Sequence, residues 1–391
     1  MNILGIFLIN QIRTGGDRRY LELMESLALR GNKVYILMNT YLDYTPKYFT
    51  KIQIPIKYIR HRPPPASFLF KRAVIKYFNE IMSAAGGSSS IDFIHIHGDT
   101  YLKTAILLKK RTSKPLFYAS RNNDIDRAHI VRSSGQLPVG KYLFSLLNEL
   151  VERFREKQIA KYADIVTFQY PSDKDSFIRR TNASPSKIVI IPGNIGLPRC
   201  TQNWENTNKS ETVKRILCVS ATSITKGFSV ILQVLKCLKQ RGFESLRCTI
   251  LGRITDQKLL TLIESANVSD MISLEGFVDP FPFLSGHDLL LYPVLFDAYP
   301  DAVLEALHTG CPVLASAVGG LPDMLKYPEL LFESKNVEQI ADRIEKCIVD
   351  QSFYKYIRKL CSERVEIHRF NWEERFEQAM SEYRLEKNNV S

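Results

Sequence analysis

The stretch "FDAYPDAVLEALHTGCPVLASAVGGLPD", residues 296–323, places two acids eight positions apart around the start of a predicted helix. Asp297 precedes that helix, and Glu305 lies more than one turn inside it. Pro300 suits the first helical position because it has no N–H to lose, and Gly310 suits the C-terminal cap. Free amides at a helix start can bind an anion. Two interpretations stay open: carboxylates gripping a diphosphate-linked molecule with hydroxyls at both ends, or an ordinary amphipathic helix with solvated acids.

Near-continuous apolar segments such as "NILGIFLI" and "DLLLYP" alternate with helical segments along the rest of the chain. This alternation predicts parallel sheets that are covered by helices on both faces. It stops in the polar stretch 196–214 and then restarts. We therefore predict an α/β fold of two Rossmann-like, doubly wound parallel-sheet domains, residues 1–196 and 212–369, facing a central cleft. The predicted helices span 17–30, 102–110, 140–161, 226–241, 300–309, 336–348, 351–367 and 371–387.

Length and composition agree with a two-domain soluble protein. The chain has 391 residues, of which 45% are hydrophobic and 24% charged. No run of about 18 apolar residues predicts a membrane span, and the N-terminus lacks the basic region and cleavage site of a signal peptide. The seven cysteines are scattered without a CxxC pair. They are typical of reduced thiols in the cytoplasm and form neither a disulfide framework nor a zinc site.

The excess of positive charge lies in the first half of the chain. Residues 1–195 contain 30 Lys+Arg and 15 Asp+Glu, a balance of +15, whereas residues 196–391 contain 23 and 26, a balance of −3. The basic run 57–78 interleaves cations with apolar residues. It favours an anionic membrane surface as a partner, with a solvated helix covering the first domain as the alternative. Nucleic acid is not expected, because the basic segments carry no recognised binding motif.

Five stretches in order resemble the retaining group 1 (family 4) glycosyltransferases of the GT-B fold, which use nucleotide-sugar donors. They are "RTGGDRRYLELMESLALRGNKVYIL", "DFIHIHGD", "KIVIIPGN", "ILCVSATSITKGFSVIL" and "FDAYPDAVLEALHTGCPVLASAVGGLPDML". The closing "FNWEERFEQAMSEYR" resembles the helix, here about 370–391, that crosses back to the first, acceptor-binding domain. The resemblance covers essentially the whole chain, and its last stretch is the most specific. It implies that residues 212–369 bind the donor.

The resemblance also assigns donor-binding roles. Glu305 matches the family glutamate that holds the donor ribose, and Lys226 matches the lysine that neutralises the diphosphate. Asp297 stands where the family usually has Glu, beside the donor sugar. The family Gly-Arg pair is replaced by Ser220-Ala221, and Arg253 is one candidate substitute. The donor-binding residues are predicted to be Gly15, Gly16, Lys226, Arg253, Asp297, Ala298, Tyr299, Pro300, Asp301, Glu305, Gly319 and Gly320.

The acceptor side is expected at strand ends of the first domain. "HIHGD" places His97 and Asp99 after one strand, and "SRNND" places Arg121, Asn123 and Asp124 after the next. Many relatives carry a catalytic-loop histidine roughly where Asn123 or Asp124 stands, and none is present there. A strand-end histidine can equally be a hydrogen-bonded structural residue. The predicted catalytic residues are Asp297, Glu305, Lys226, His97 and Asp124.

The sequence thus predicts a retaining glycosyltransferase that needs no cofactor and no metal. Its partners would be a nucleotide-sugar donor and a saccharide or lipid-linked saccharide acceptor in cell-surface polysaccharide synthesis. The expected location is the cytoplasm, with peripheral contact at the inner face of the cell membrane. Two alternatives remain: a catalytically degenerate GT-B protein that binds nucleotide or anionic lipid, and another GT-B enzyme such as a nucleotide-sugar epimerase.

Overall fold

The protein divides into two units, each built around a parallel sheet. The first comprises Met1–Ile125, Leu143–Leu197 and Asn371–Ser391, and the second comprises Asp126–Tyr142 and Pro198–Phe370. A computed structural model describes residues 1–12, 15–57, 65–121, 123–133, 139–195, 210–219, 226–252 and 257–388.

The first sheet has seven parallel strands among the described residues, in the order β3-β2-β1-β4-β5-β6-β7. Most of their residues are buried, so the strands are apolar on both faces, as expected of a parallel sheet between helical layers. The strands are β1 (Asn2–Phe7), β2 (Lys33–Asn39), β3 (Thr50–Ile54), β4 (Phe93–His97), β5 (Leu116–Ala119), β6 (Ile165–Phe168) and β7 (Ile188–Ile190).

Seven described helices connect or follow these strands. The basic run predicted at 57–78 is described from residue 65 onward, where Phe70 and Val74 point into the apolar core and Lys71, Arg72 and Lys76 stay exposed. Part of the apolar content of this run therefore serves the core of the first unit. The helices are α1 (Gly15–Leu29), α2 (Ala66–Lys76), α3 (Phe78–Ala84), α4 (Leu102–Thr112), α5 (Asp124–Ser133), α6 (Val139–Tyr162) and α7 (Pro171–Thr181).

The second sheet has six parallel strands within the part of the chain that is described, in the order β10-β9-β8-β11-β12-β13. The strands are β8 (Arg215–Val219), β9 (Arg247–Leu251), β10 (Ile272–Gly276), β11 (Leu289–Tyr292), β12 (Val313–Ser316) and β13 (Leu331–Phe332). The helices that follow are α8 (Phe228–Gln240), α9 (Gln257–Ala266), α10 (Phe281–Gly286), α11 (Asp301–Thr309), α12 (Leu321–Leu325), α13 (Val337–Val349), α14 (Gln351–His368) and α15 (Trp372–Asn388).

Both sheets reverse their strand order at the corresponding place. In each, the first strand of the unit lies between the second and the fourth, so β1 neighbours β4 and β8 neighbours β11. Ligands of doubly wound sheets bind outside the C-terminal strand ends at such a switch point. The predicted fold of two doubly wound α/β units is confirmed, and the loops after β1, β4, β8 and β11 are the places to look for a site.

The last helices begin where their capping residues place them. The Asn336 side chain accepts a hydrogen bond from the Gln339 N–H at 3.1 Å, and Asp350 accepts one from the Phe353 N–H at 2.9 Å. Each such N-cap stabilises a helix by about 1 kcal/mol. The caps explain why helices predicted at 336–348 and 351–367 start within one residue of those positions.

The C-terminal helix α15 belongs to the first unit and packs against it. Arg30, just after α1, forms an ion pair with Glu377 at 2.9 Å, and the Phe376 ring stacks on Phe117 of β5 with centroids 5.6 Å apart. Because Phe117 is fully buried, α15 closes one face of the sheet. None of the described helices is long and apolar enough to cross a bilayer.

Candidate functional site

Three polar side chains meet where the second sheet reverses its order. Tyr292 ends β11, Lys226 follows β8, and Asp297 lies in the loop between β11 and α11. The Lys226 ammonium lies 2.5 Å from Oδ2 of Asp297, and the Tyr292 hydroxyl donates to the same oxygen at 2.8 Å. Lys226 also donates to the Tyr292 hydroxyl at 3.3 Å. These contacts form because β8 and β11 are parallel neighbours whose following loops leave from the same edge.

Two glycines hold the loop that carries Asp297. A Cβ on Gly227 would lie 1.9 Å from the carbonyl oxygen of Pro293, and one on Gly319 would lie 1.8 Å from that of Asp297. Both glycines also have positive φ angles, +81° and +57°, which other residues adopt at a cost. The Gly320 N–H donates to the Asp297 carbonyl at 3.2 Å. Gly319 and Gly320 therefore hold the backbone of Asp297 in place, and the Asp297 side chain contacts Lys226.

Tyr292 remains protonated in this cluster. Burial raises the pKa of its phenol well above the ordinary value, and the charges of Asp297 and Glu305 raise it further. A neutral phenol donates its only hydrogen, and that hydrogen goes to Asp297. Tyr292 therefore orients the Asp297 carboxylate.

Glu305 lies in the second turn of α11, and only 3% of its surface is exposed. Its charge acts on the Tyr292 phenol together with that of Asp297, so the two acids of the opening stretch share one electrostatic environment. Burying a carboxylate costs free energy unless the charge is paired and hydrogen-bonded. The interpretation of Glu305 as a solvated acid on an amphipathic helix is therefore wrong.

Helix α11, which follows Asp297 and contains Glu305, begins one residue later than predicted. Pro300 is the residue before α11, and its carbonyl accepts hydrogen bonds from the N–H groups of Val303 at 3.2 Å and Leu304 at 3.3 Å. Gly310 ends the helix with a φ of +73°, as its predicted capping role requires. The N–H groups of the first turn point toward the N-terminal end of the helix. They supply positive potential beside Asp301 and the preceding loop.

The Tyr299 side chain does not join the polar cluster. Its hydroxyl lies 3.4 Å from Nδ1 of His368 on α14, and the two rings meet edge to face. Tyr299 and Ala298 are both buried, with 6% and 4% of their surface exposed. At these two predicted donor-binding positions the side chains are buried, and the Tyr299 ring anchors the loop to α14.

Of the predicted phosphate-binding cations, the structure describes Lys226 and not Arg253. Lys226 is placed beside Asp297, as above. Arg253 and the Ser220-Ala221 pair lie outside the described residues, so their predicted roles stay predictions. Across the described ranges, no three His, Cys, Asp or Glu side chains are grouped so as to hold a metal ion.

In the first unit, Gly16 makes room for an arginine. A Cβ on Gly16 would lie 2.8 Å from Nε of Arg121, whose guanidinium also forms a 2.7 Å ion pair with Asp17. Gly15 is the first residue of α1. Gly15 and Gly16 are predicted to bind the donor, and this stays a prediction. Over Gly16, the group that approaches is the predicted acceptor-side residue Arg121.

His97 ends β4 close to this arginine. Burial lowers the pKa of His97 well below its usual value, and the charges of Arg121 and Arg19 lower it further. The imidazole also stacks on Tyr20, with ring centroids 5.6 Å apart. At neutral pH His97 is therefore an uncharged ring with one nitrogen able to accept a hydrogen bond.

The other acceptor-side residues lie among carboxylates and arginines. Asp99 accepts from Arg155 of α6 at 2.5 Å, and the same guanidinium donates to Glu152 at 2.6 Å. Burial raises the pKa of Glu152 to about 7, and the charges of Asp99 and Asp124 add to the effect while Arg155 opposes it. Asp124, the first residue of α5, is thus near enough to influence Glu152.

Asn123 has a structural partner. Its side-chain amide donates to Oδ1 of Asp173 on α7 at 2.9 Å, and both residues are buried. The bond ties the end of β5 to α7. Asn123 therefore positions the loop that leads to Asp124.

The second half of the chain is similar to known glycosyltransferases. Residues 201–363 match the family model described as glycosyl transferases group 1. Over 324 residues the chain is 21% identical to an N-acetylgalactosamine-N,N'-diacetylbacillosaminyl-diphospho-undecaprenol 4-alpha-N-acetylgalactosaminyltransferase of Campylobacter jejuni, covering 81% of each protein. Residues 201–363 therefore resemble the group 1 glycosyltransferases.

Solved structures agree on the fold of this chain. Sucrose-phosphate synthase from Thermosynechococcus elongatus matches with a TM-score of 0.76 and 18% identity, over 100% of this chain and 99% of the other. Anabaena Alr3699/HepE, solved in complex with UDP-glucose, matches with a TM-score of 0.70 and 14% identity, over 97% and 98%. At these identities the likeness shows the GT-B fold alone.

Four residues in or beside the polar clusters were missed by the sequence prediction. Tyr292 carried a signal, since it is the polar residue that ends the apolar strand "LLLY". Gly227 follows the predicted Lys226, but its close approach to the Pro293 carbonyl depends on folding. Glu152 and Arg155 lie within a helical pattern that has no feature to distinguish them.

Proposed function

We propose that this glycosyltransferase moves a sugar from a nucleotide-sugar donor to a saccharide or lipid-linked saccharide acceptor, with retention of anomeric configuration, in cell-surface polysaccharide synthesis. The observation that carries the proposal is the meeting of Lys226, Asp297 and the neutral Tyr292 hydroxyl at the switch point of the second sheet. Nucleotides bind at this edge of doubly wound sheets. UDP-glucose is bound by the Anabaena protein, and diphospho-undecaprenol is named in the C. jejuni relative.

Each donor-side residue binds a different part of the nucleotide sugar. Lys226 pairs with the diphosphate, Glu305 accepts from ribose hydroxyls, and Asp297 accepts from hydroxyls of the sugar. When the bond between the anomeric carbon and the phosphate oxygen breaks, the electron pair leaves on the diphosphate. Lys226 and the first-turn amides of α11 stabilise that growing charge. The sugar carbon becomes oxocarbenium-like, and the Asp297 carboxylate, oriented by Tyr292, lowers the energy of that positive centre.

The acceptor-side residues accept hydrogen bonds from the reacting hydroxyl of the acceptor. Its oxygen forms the new bond to the anomeric carbon, and its proton passes to the departing diphosphate. His97 is uncharged and can accept a hydrogen bond from that hydroxyl, and Asp124 provides a second acceptor nearby in the first unit. The cation at the diphosphate is supplied by the protein, so the reaction needs no metal. A lipid-linked acceptor would place the enzyme at the cytoplasmic face of the membrane as a peripheral protein.

The test is product formation from a panel of nucleotide sugars, with and without a polyprenyl-diphosphate-linked saccharide. The proposal expects a glycoside only when acceptor is present, with the anomeric configuration of the donor by NMR, and with undiminished rate in EDTA. Donor turnover without acceptor would favour the epimerase alternative, and binding without turnover would favour the degenerate one. Inversion, or activity lost in EDTA and restored by Mg²⁺, would contradict those parts of the proposal.

A further inference from the structure

One face of α6 exposes large apolar side chains over residues 143–154, all within the first unit. The exposed fractions range from 45% to 67%. At about 100° of rotation per residue, these side chains fall within an arc of about 120° along a length of roughly 18 Å. We call this surface the apolar face. It consists of Leu143, Phe144, Leu147, Leu150, Val151 and Phe154.

The acids of α6 lie on the opposite side of the helix and are neutralised. Glu149, Glu152 and Glu156 accept from Arg153, Arg155 and Arg180 at 2.7, 2.6 and 2.7 Å. By rotation, the three acids stand about 80° or more from the apolar face. That face therefore presents no negative charge of its own helix.

Lysines continue the line of the apolar face toward the C-terminal end of α6. Lys157 and Lys161 are both exposed, and their rotation places them over the same arc as Leu150 and Phe154. Helix α2 in the same unit adds three exposed cations within 71–76. Most of the unit that carries the apolar face lies in the basic half of the chain, which has a charge of +15 over residues 1–195.

A contiguous exposed apolar surface marks a contact with another body. Leu and Phe on one side of a helix, with Lys beside them, is the composition of helices that lie in the interface of a bilayer. An anionic surface is the complement of the surrounding charge, and each lysine near such a surface adds to the attraction. A second copy of the chain would bring the same positive charges together, which opposes self-association through this face.

We propose that residues 143–161 of α6 form a membrane-docking face that seats its leucines and phenylalanines among the acyl chains of an anionic bilayer, with Lys157 and Lys161 at the headgroups. The proposal deepens the peripheral membrane association stated above by naming its surface. It rests on α6 and not on the polar cluster of the second unit, so it can fail while the transferase function stands.

The experiment is flotation of the full chain with phosphatidylcholine vesicles that contain or lack phosphatidylglycerol. The wild type is expected to float with the anionic vesicles. The variant Leu147→Ser/Leu150→Ser/Phe154→Ser should need at least about tenfold more lipid for half-maximal binding. The matched control removes exposed apolar residues elsewhere, Leu262→Ser/Val349→Ser/Leu385→Ser, and should float like the wild type.

A second variant keeps the test decisive if the first folds poorly. Lys157→Gln/Lys161→Gln should lose the preference for anionic vesicles and the sensitivity to salt. The proposal is overturned if the wild type does not float, or if both variants float as the wild type does. It is also overturned if sedimentation shows a dimer that the triple variant dissolves while no protein floats. Transfer to a soluble acceptor analogue, assayed in parallel, reports on the transferase function separately.

Discussion

The ammonium of Lys226 lies 2.5 Å from the carboxylate of Asp297, although the two residues are 71 positions apart in the chain. One is assigned to the donor diphosphate and the other to the donor sugar. Without a donor they neutralise each other, with 31% and 18% of their side-chain surfaces exposed. The proposed roles imply that a diphosphate competes with Asp297 for Lys226. They also imply that this exchange releases the Asp297 carboxylate to the donor sugar.

Tyr292→Phe removes the hydroxyl that orients Asp297. Hydrogen bonds to charged groups contribute about 1.5–3 kcal/mol, so we expect kcat for transfer to fall by about tenfold or more, with a smaller change in the donor KM. The control is Tyr327→Phe, which removes an exposed phenol bonded to Glu363 and should leave both constants unchanged. Equal kinetics for the two variants would remove Tyr292 from the site.

Glu305→Gln keeps the shape of the side chain and removes its charge. If Glu305 accepts from the donor ribose, nucleoside diphosphate binding should weaken by about tenfold, as measured by calorimetry. Glu338→Gln, at an exposed position of α13, is the matched control and should bind as the wild type does. Unchanged affinity in Glu305→Gln would assign its burial to packing of α11 alone.

Gly319→Ala tests the close approach behind Asp297. The new Cβ would overlap the Asp297 carbonyl, and the φ of +57° adds strain, so we expect a loss of unfolding free energy of about 3 kcal/mol. Gly242→Ala shares a positive φ, +91°, but its Cβ would meet nothing within 4 Å, so about 1 kcal/mol is expected. Urea unfolding of both variants gives the difference. Equal losses would mean that the contact with Asp297 contributes nothing.

Glu152 predicts a pH dependence of stability. Its pKa is raised on folding from 4.5 to about 7, so the folded state binds the extra proton and wild-type stability falls as pH rises through that window. Glu152→Gln removes the penalty, and its melting temperature relative to wild type should be higher at pH 8 than at pH 5. Glu366→Gln, at an exposed ion pair of α14, should show no such trend. A pH-independent difference for Glu152→Gln would contradict the shift.

The sequence predicted best the features that arise from local physics. Apolar runs marked most of the strands, and Gly310 marked the end of its helix. The helix starts predicted at 336 and 351 agree with the structure to within a residue. The resemblance of the opening stretch selected Glu305, and that of "ILCVSATSITKGFSVIL" selected Lys226; these residues act on or join the cluster around Asp297. These elements are determined by neighbours in the chain or by a long shared motif.

The missed features depend on contacts between distant positions. Tyr292 and Gly227 matter because a loop folds back onto them, and Arg155 matters because Asp99 lies beside it in space. The periodicity of α6 cannot say whether a partner element covers its apolar side chains. Only the structure shows residues 143–154 exposed.

The most direct test of the donor site is the thermal stabilisation of the wild type and Lys226→Ala by a panel of nucleoside diphosphates. A ligand that binds the folded state raises its stability by mass action. The account predicts that one diphosphate stabilises the wild type and that Lys226→Ala binds it about ten- to a hundredfold more weakly. Lys236→Ala, an exposed lysine of α8, should respond like the wild type. A shift of Lys226→Ala equal to that of the wild type would contradict the assignment.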